Sequence, residues 1–214
     1  MPITAIVDYN SGNLHSAHKS FEHVANQLRN ERVIVSRNPK IINSADRIIL
    51  PGVGAFADCK NGINSISGLF ETLYERVIEK GKPFLGICVG HQMLATFGYE
   101  HGKKVKGLNW IEGNVISIST KHSKLKVPHI GWNSLCFDKE HELFKDIKAG
   151  EHAYFTHSYH LVPKDLNNRI CHVDYGYDIT ASVQKDNIVG TQFHPEKSQQ
   201  TGLKFISNFL SWRP

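Results

Sequence analysis

The sequence predicts an α/β protein with a central, mostly parallel sheet flanked by helices and antiparallel strands added to it. Three observations carry this. From the N-terminus to about residue 97, short apolar runs alternate with stretches of helical spacing, the pattern of strand–helix–strand crossovers. Two of those runs end in glycine-bearing turns, which is where open parallel sheets place their sites. Beyond Gly107 the texture changes to short extended segments separated by turns, the mark of antiparallel meanders.

Residues 3–9 form the first apolar run. Asn10-Ser11-Gly12-Asn13 is a turn, with Asn13 placed to cap a helix over 14–28 whose Leu14, Ala17, Phe21, Val24, Ala25 and Leu28 share a face. Strands over 32–36 and 47–50 follow, the latter leading into Pro51-Gly52-Val53-Gly54. Residues 58–80 read as a helix broken at Gly62 and Gly68, and Gly81-Lys82-Pro83 ends it. A fourth strand covers 84–87, a helix runs from Val89 to Phe97, and Gly98 closes that helix. Extended segments are expected over 111–118, 128–135, 153–159, 169–175, 179–184 and 188–193. Residues 201–212 make a closing helix with Leu203, Ile206 and Leu210 on one face. With no repeat, low-complexity segment or linker, residues 1–214 are taken as one domain.

Composition narrows the function classes. An apolar content of 40% in 214 residues supports a sizeable core rather than disorder. No apolar run approaches the ~20 residues of a membrane span. Residues 1–8 carry no basic leader or signal-type apolar core, so the expectation is a cytoplasmic protein with no membrane association. Cys59, Cys88, Cys136 and Cys171 are scattered without a Cys-x-x-Cys pair, which fits one reactive thiol and three packed ones. Thirteen histidines show no helical metal spacing, and neither a metal nor a cofactor is expected. The formal charge of +5 is concentrated at Lys103, Lys104 and Lys106 and at Lys121, Lys124 and Lys126, in polar connections without interleaved aromatics. That reads as solvated surface, with no nucleic-acid partner.

The chemistry centres on Gly86-Ile87-Cys88-Val89-Gly90, the cysteine form of a nucleophile elbow, where a strand turns sharply into a helix and holds a side chain out at the tip. The start of that helix directs its positive dipole end at the sulfur. A thiol nucleophile needs a base and a group to orient the base. His194 meets the first need, since Ile188-Val189-Gly190-Thr191-Gln192-Phe193 delivers it to a strand end and Pro195 forces a turn. The turn brings Glu196 back beside the imidazole, where a carboxylate fixes the tautomer. Gly52-Val53-Gly54 lets backbone N–H groups point into a cavity, as an oxyanion hole requires. Gln92, four residues after Cys88, shares its helix face.

The order Pro51-Gly52-Val53-Gly54, Gly86-Ile87-Cys88-Val89-Gly90-His91-Gln92 and His194-Pro195-Glu196 resembles the class I (triad) glutamine amidotransferases. Asp8-Tyr9-Asn10-Ser11-Gly12-Asn13, Pro128-His129-Ile130-Gly131-Trp132-Asn133, Tyr154-Phe155-Thr156-His157-Ser158-Tyr159 and Phe193-His194-Pro195-Glu196-Lys197-Ser198 narrow the likeness to glutaminase subunits that work beside a cyclase in histidine biosynthesis. The resemblance spans nearly the whole chain and implies a flavodoxin-like sheet with a catalytic triad at its carboxyl edge. It implies that Cys88 attacks the side-chain amide of L-glutamine, that His194 moves the protons and that Glu196 orients it. Backbone N–H groups of Val89 and of Gly52, Val53 and Gly54 would hold the oxyanions, and the glycines would let that loop act as a switch by a peptide flip. Gln92, Glu100, His157, Ser158 and Tyr159 match substrate-contacting positions. Tyr154, Trp132 and Lys197 match positions at the interface with a (β/α)8-barrel cyclase subunit that receives ammonia, in a heterodimer; Trp132 also fits a core role.

The chain departs from the family in three places. His91 stands where Met is common, Ala55 where His is frequent, and residues 100–107 are short and basic. These leave open a paralogous glutaminase serving a cyclase homologue in surface-sugar biosynthesis. A different class, a cysteine hydrolase or thiol sensor on the same fold, would not need Pro51-Gly52-Val53-Gly54, Gln92 and His194-Pro195-Glu196 together.

Overall fold

The computed structural model describes residues 1–28, 31–119 and 125–214. Of the lysines singled out above, Lys121 and Lys124 lie outside the described residues. The chain begins with β1 (Ile3–Val7), α1 (Leu14–Leu28), β2 (Arg32–Ser36), α2 (Pro39–Asn43) and β3 (Arg47–Gly52). Asn13 caps α1, its Oδ1 accepting from Ser16 N at 3.3 Å. The short helix α2 was not anticipated, although Asn38-Pro39 carries its signal. Asn38 Oδ1 accepts from Lys40 N at 3.0 Å, and Pro39 sits at the first helical position where no N–H is needed.

Next come α3 (Phe56–Ser65), α4 (Leu69–Tyr74), a wider π-type turn at Glu75–Glu79, β4 (Phe84–Cys88) and α5 (Val89–Gln92). The break between α3 and α4 falls at Gly68, and Gly62 stays inside α3. The remainder comprises β5 (Phe97–Glu100), β6 (Lys103–Lys106), β7 (Gly113–Ser117), β8 (His129–Ser134), β9 (Cys136–Phe137), β10 (His152–His157), β11 (Tyr159–Pro163), β12 (Arg169–Asp174), β13 (Asp178–Lys185), β14 (Ile188–Thr191) and α6 (Gln199–Ser211). One-turn 3-10 helices lie at Glu142–Phe144, Leu166–Asn168 and Pro195–Lys197.

The main sheet has eight strands in the order β2-β1-β3-β4-β14-β13-β12-β9. Its first five strands are parallel, the expected flavodoxin-like order, and the last three are antiparallel additions. The register sets Gly52 beside Cys88 and Thr191 beside Ile87, so three strand ends meet at one edge. Strands β1, β3 and β4 are almost wholly buried, as parallel strands covered on both faces must be. On one side Phe21 of α1 meets Phe209 of α6 edge-on, with ring centres 6.4 Å apart.

Three expectations need correction. The helix expected from Val89 to Phe97 is a single turn ending at Gln92. Phe97–Glu100 is instead drawn out as β5, which pairs with β6 and runs parallel to β7. Gly98 therefore does not close a helix; it lies in a strand, where a Cβ would meet the Phe56 ring at 2.7 Å. Lys103, Lys104 and Lys106 belong to β6 and not to a connection, and Lys104 Nζ lies over the rings of Phe97 and Tyr99 at 4.0 and 5.7 Å. Finally, β7 and β11 do not extend the main sheet. They join β5 and β6 in a second sheet of order β11-β7-β5-β6, while β8 and β10 form a separate ribbon.

Candidate active site

Cys88 ends β4 with φ 54° and ψ −110°, a left-handed conformation that a non-glycine residue adopts only when its surroundings compel it. The compulsion is visible in two glycines. A Cβ on Gly86 would stand 2.5 Å from the Gly90 carbonyl oxygen, and one on Gly90 would overlap the Leu50 carbonyl oxygen of β3. The elbow is therefore packed, backbone against backbone, onto the neighbouring strand. Because α5 is one turn long, its dipole contributes little at the sulfur; side chains set the electrostatics instead.

His194 follows β14 and is held by its backbone, with N donating to Tyr154 O at 3.0 Å and O accepting from Ser198 Oγ at 2.7 Å. Its Nδ1 meets Glu196 Oε1 at 2.7 Å, and both side chains are buried. Burial opposes the His194 cation. Hydrogen bonding and charge from the Cys88 sulfur and the Glu196 carboxylate outweigh it, lifting the imidazole to about 10. Nε2 has no other hydrogen-bond partner among the described residues. Nδ1 faces the carboxylate and Nε2 is left for the reacting atoms, the division of labour that a thiol–imidazole–carboxylate triad needs.

A cleft of about 350 Å³ opens on Cys88 and His194. Val53, Gly54, Val89, Gln92, Glu100, His157, Ser158 and Tyr159 line it, whereas Gly52 does not and packs instead against the backbone of Val89 and Gly90. A larger hollow, about 1260 Å³, lies at the opposite end of the strands beside Phe144, Asp186 and Trp212, away from the thiol and its base.

The lining residues differ in what they have to offer. Glu100 Oε2 accepts from Phe56 N at 2.6 Å and so caps α3, tying the helix after the glycine loop to the cleft. Gly54 adopts φ 88°, with nothing within 4 Å of where a Cβ would stand. The Val53 N–H is occupied, donating to Ser11 Oγ at 3.1 Å, while Ser11 Oγ donates to Val53 O at 2.8 Å. In this arrangement that N–H is turned to Ser11. From the sequence, Ser11 belongs to a turn and to one of the stretches that carry the family resemblance, with no role at the loop, and Cys59, whose Sγ lies 3.1 Å from Ser11 Oγ, is a packed thiol. Burial, the largest influence, raises the Cys59 thiol above its ordinary value, which keeps it neutral.

His157 Nδ1 lies 3.0 Å from Tyr159 O, and its Nε2 lies 3.0 Å from His129 Nδ1. A carbonyl only accepts, so His157 carries its proton on Nδ1 and accepts from His129. The ring is thereby committed to holding β10, β11 and β8 together. Gln92 Nε2 donates to Tyr159 O at 2.9 Å and to Gln192 Oε1 at 3.0 Å. Gln192, whose Nε2 lies 3.7 Å from Cys88 Sγ, was missed.

Trp132 and Tyr154 are cross-strand partners with ring centres 5.8 Å apart, and Lys197 Nζ lies 5.9 Å from the Tyr154 ring centre. Trp132 is 46% exposed and is not core; Ile130, two residues earlier on β8, is 61% exposed and widens the same apolar patch.

Four buried histidines surround this region. Burial pushes His91 and His157 down to about 3 and His129 and His160 to about 4, with neighbouring imidazoles adding to the effect at His91 and His157. These folded values lie below the unfolded one, so the unfolded chain binds more protons as pH falls from 6.5 toward 3. Their contribution to stability is complete above pH 6.5 and is lost on acidification. Both His91 ring nitrogens are buried without a partner. His91→Met is expected to stabilise the fold by about 1–3 kcal/mol and to flatten the acid side of a plot of unfolding midpoint against pH. An unchanged acid limb would remove His91 from that role.

Among the described residues, no group of three or more His, Cys, Asp or Glu is placed to hold a metal ion, and no helix is long and apolar enough to cross a membrane.

Comparison with known proteins adds to this geometry. Residues 5–212 match the family described as glutamine amidotransferase class-I. The chain is 50% identical over 212 residues to the imidazole glycerol phosphate synthase subunit HisH of Cereibacter sphaeroides, covering 99% of this chain and 100% of that one. It is 51% identical over 214 residues to the subunit of the same name from Rhodopseudomonas palustris, covering 98% and 99%. A crystal structure of a glutamine amidotransferase from Thermotoga maritima shares the fold, with a TM-score of 0.63 and 18% identity over 98% of this chain and 83% of that one.

Proposed function

The chain belongs to the class-I glutamine amidotransferase family, and from that premise we propose that it is the glutaminase subunit of an imidazole glycerol phosphate synthase, working in the cytoplasm in histidine biosynthesis. Residues 1–214 act as one glutamine amidotransferase domain. The observation that carries the reading is the Cys88 elbow with the His194–Glu196 pair beside it, set in a chain about half identical to such subunits from end to end. The same identity favours histidine biosynthesis over a surface-sugar pathway.

The reaction follows from the charges. With His194 lifted to about 10, the pair starts at neutral pH as imidazolium beside sulfur. Cys88 Sγ attacks the side-chain carbonyl carbon of L-glutamine, and the carbonyl electrons move onto oxygen. His194 Nε2 gives its proton to the amide nitrogen, the C–N bond breaks, and ammonia leaves a γ-glutamyl thioester on Cys88. Neutral His194 then takes a proton from water, the hydroxide adds to the thioester carbon, and the C–S bond breaks to release glutamate. The Val89 N–H is one oxyanion donor. The second comes from the Gly52-Val53-Gly54 loop once the Val53 N–H leaves Ser11, a rotation that glycine on both sides permits. Gln92, Glu100 and the backbone at His157, Ser158 and Tyr159 hold the substrate.

Ammonia passes to a partner, a (β/α)8-barrel cyclase subunit seated on the patch around Trp132, Tyr154 and Lys197. The test is release of glutamate from L-glutamine by the chain alone, and by the chain with that cyclase and its nucleotide substrate. Slow release alone and a severalfold rise with both present is the expected result. No glutamate under either condition overturns the proposal.

A further inference from the structure

Gln192 is fully buried and outside the triad, yet it touches both the nucleophile and a residue of the cleft. Its Oε1 lies 3.0 Å from Gln92 Nε2, and its Nε2 lies 3.7 Å from Cys88 Sγ. Which end of each amide faces which neighbour follows from chemistry alone. Tyr159 O is a main-chain carbonyl and accepts only, so the end of Gln92 that meets it at 2.9 Å must be the NH2 group. The same NH2 group meets Gln192, so Gln192 presents oxygen there. Its other end, facing the sulfur, is then an N–H donor. The reverse orientation would set oxygen against oxygen at Tyr159 and a carbonyl against the nucleophilic sulfur.

The polarity has two results at opposite ends of one relay. The sulfur receives an N–H, which stabilises it as an anion beside the His194 cation. Both hydrogens of the Gln92 amide are spent, so Gln92 turns its carbonyl oxygen to the cleft it lines. Strand geometry makes the device rigid. Gln192 N donates to Ala181 O at 2.8 Å, and the preceding residue, Thr191, is in register with Ile87. Gln192 and His194, two residues apart just past the end of β14, approach the sulfur from the same strand end.

We propose that Gln192 is a positioning residue: it donates a hydrogen bond to the Cys88 sulfur and fixes the orientation of the Gln92 amide, coupling the nucleophile to the substrate cleft. This rests on the glutaminase reading for its role in turnover. Its first readout does not, because alkylation of Cys88 needs no glutamine.

The experiment compares parent chain with Gln192→Glu. Glutamate keeps the shape and still accepts from Gln92 Nε2, but it offers oxygen to the sulfur. Alkylation of Cys88 by iodoacetamide at pH 7, followed by peptide mass spectrometry to separate it from the other cysteines, should slow by about 10- to 100-fold, the usual worth of one hydrogen bond to a charged group. With the cyclase present, kcat for glutamine should fall over a similar range while KM stays within about threefold, because Gln92 is still held. Gln192→Met is neutral and loses both contacts; it should slow alkylation as well and also raise KM. If the glutamate variant does not fold, the methionine variant carries the alkylation test. A folded variant that alkylates at the parent rate overturns the proposal. A parent chain that alkylates readily yet never hydrolyses glutamine overturns the glutaminase reading and leaves the relay standing.

Discussion

Cys88→Ser lowers cyclase-stimulated glutamine hydrolysis by about 10⁴-fold or more, on the scale seen when a nucleophile is removed from a triad. An alcohol at this position keeps its proton, and His194 loses the sulfur charge that helps lift it to about 10. The imidazole must then pull a proton from a poor acid before any attack. The oxygen is also smaller than sulfur, so it sits farther from the amide carbon in an elbow that cannot shift. Because the side chain is small and the elbow is held by backbone packing, the unfolding midpoint should stay within a few degrees of the parent. Adding His194→Ala to Cys88→Ser should cost little more, since the two act as one unit. Glutamate release by Cys88→Ser at even a tenth of the parent rate would remove Cys88 from the nucleophile's role.

Gly90→Ala damages the fold itself. The added methyl falls on the Leu50 carbonyl oxygen of β3, a main-chain atom in the middle of a buried parallel sheet. Relief requires β3 and the elbow to separate, and their ladder fixes Gly52 beside Cys88. A loss of about 3–5 kcal/mol is expected, seen as a fall of about 10 °C or more in unfolding midpoint for a chain of this length. Gly54→Ala is the control. Nothing lies within 4 Å of its Cβ position, so only the strain of a positive φ is felt, about 1 kcal/mol or slightly more. If Gly90→Ala melts like Gly54→Ala, the close approach at the elbow is not what holds the two strands together.

The parts of the site that could be read from the sequence are those whose chemistry is packed into a few consecutive residues. Gly86-Ile87-Cys88-Val89-Gly90 specifies a tight turn by itself, and His194-Pro195-Glu196 brings base and carboxylate together within three residues. Four of the five parallel strands were equally legible, because buried strands read as apolar runs and crossovers follow a handedness rule; the fifth, β14, lies among the segments read as antiparallel, yet runs parallel to β4. Phe97-Gly98-Tyr99-Glu100 was not. Its local preference fits the end of a helix as well as a strand, and what decides is pairing with Lys103–Lys106 across the two-residue turn His101-Gly102, and with Asn114 and Val115, contacts that no local pattern encodes. The same limit hid Ser11 and Gln192. Each is an ordinary polar residue until folding sets it against Val53 or Cys88, 42 and 104 positions away in sequence. Trp132 was ambiguous for a related reason: its exposure depends on β8 leaving the main sheet to pair with β10 alone.

The Tyr159 carbonyl accepts from Gln92 on one side and from His157 on the other, and so orients both chains of side-chain hydrogen bonds. Because the acceptor belongs to the main chain, no substitution at position 159 deletes it, and the side chain there can drift without disturbing the wiring. Insertions and deletions are another matter. One residue gained or lost between His157 and Tyr159 would replace this carbonyl with its neighbour, which points to the other side of the strand. The segment is thus tolerant of changes in spelling and intolerant of changes in length.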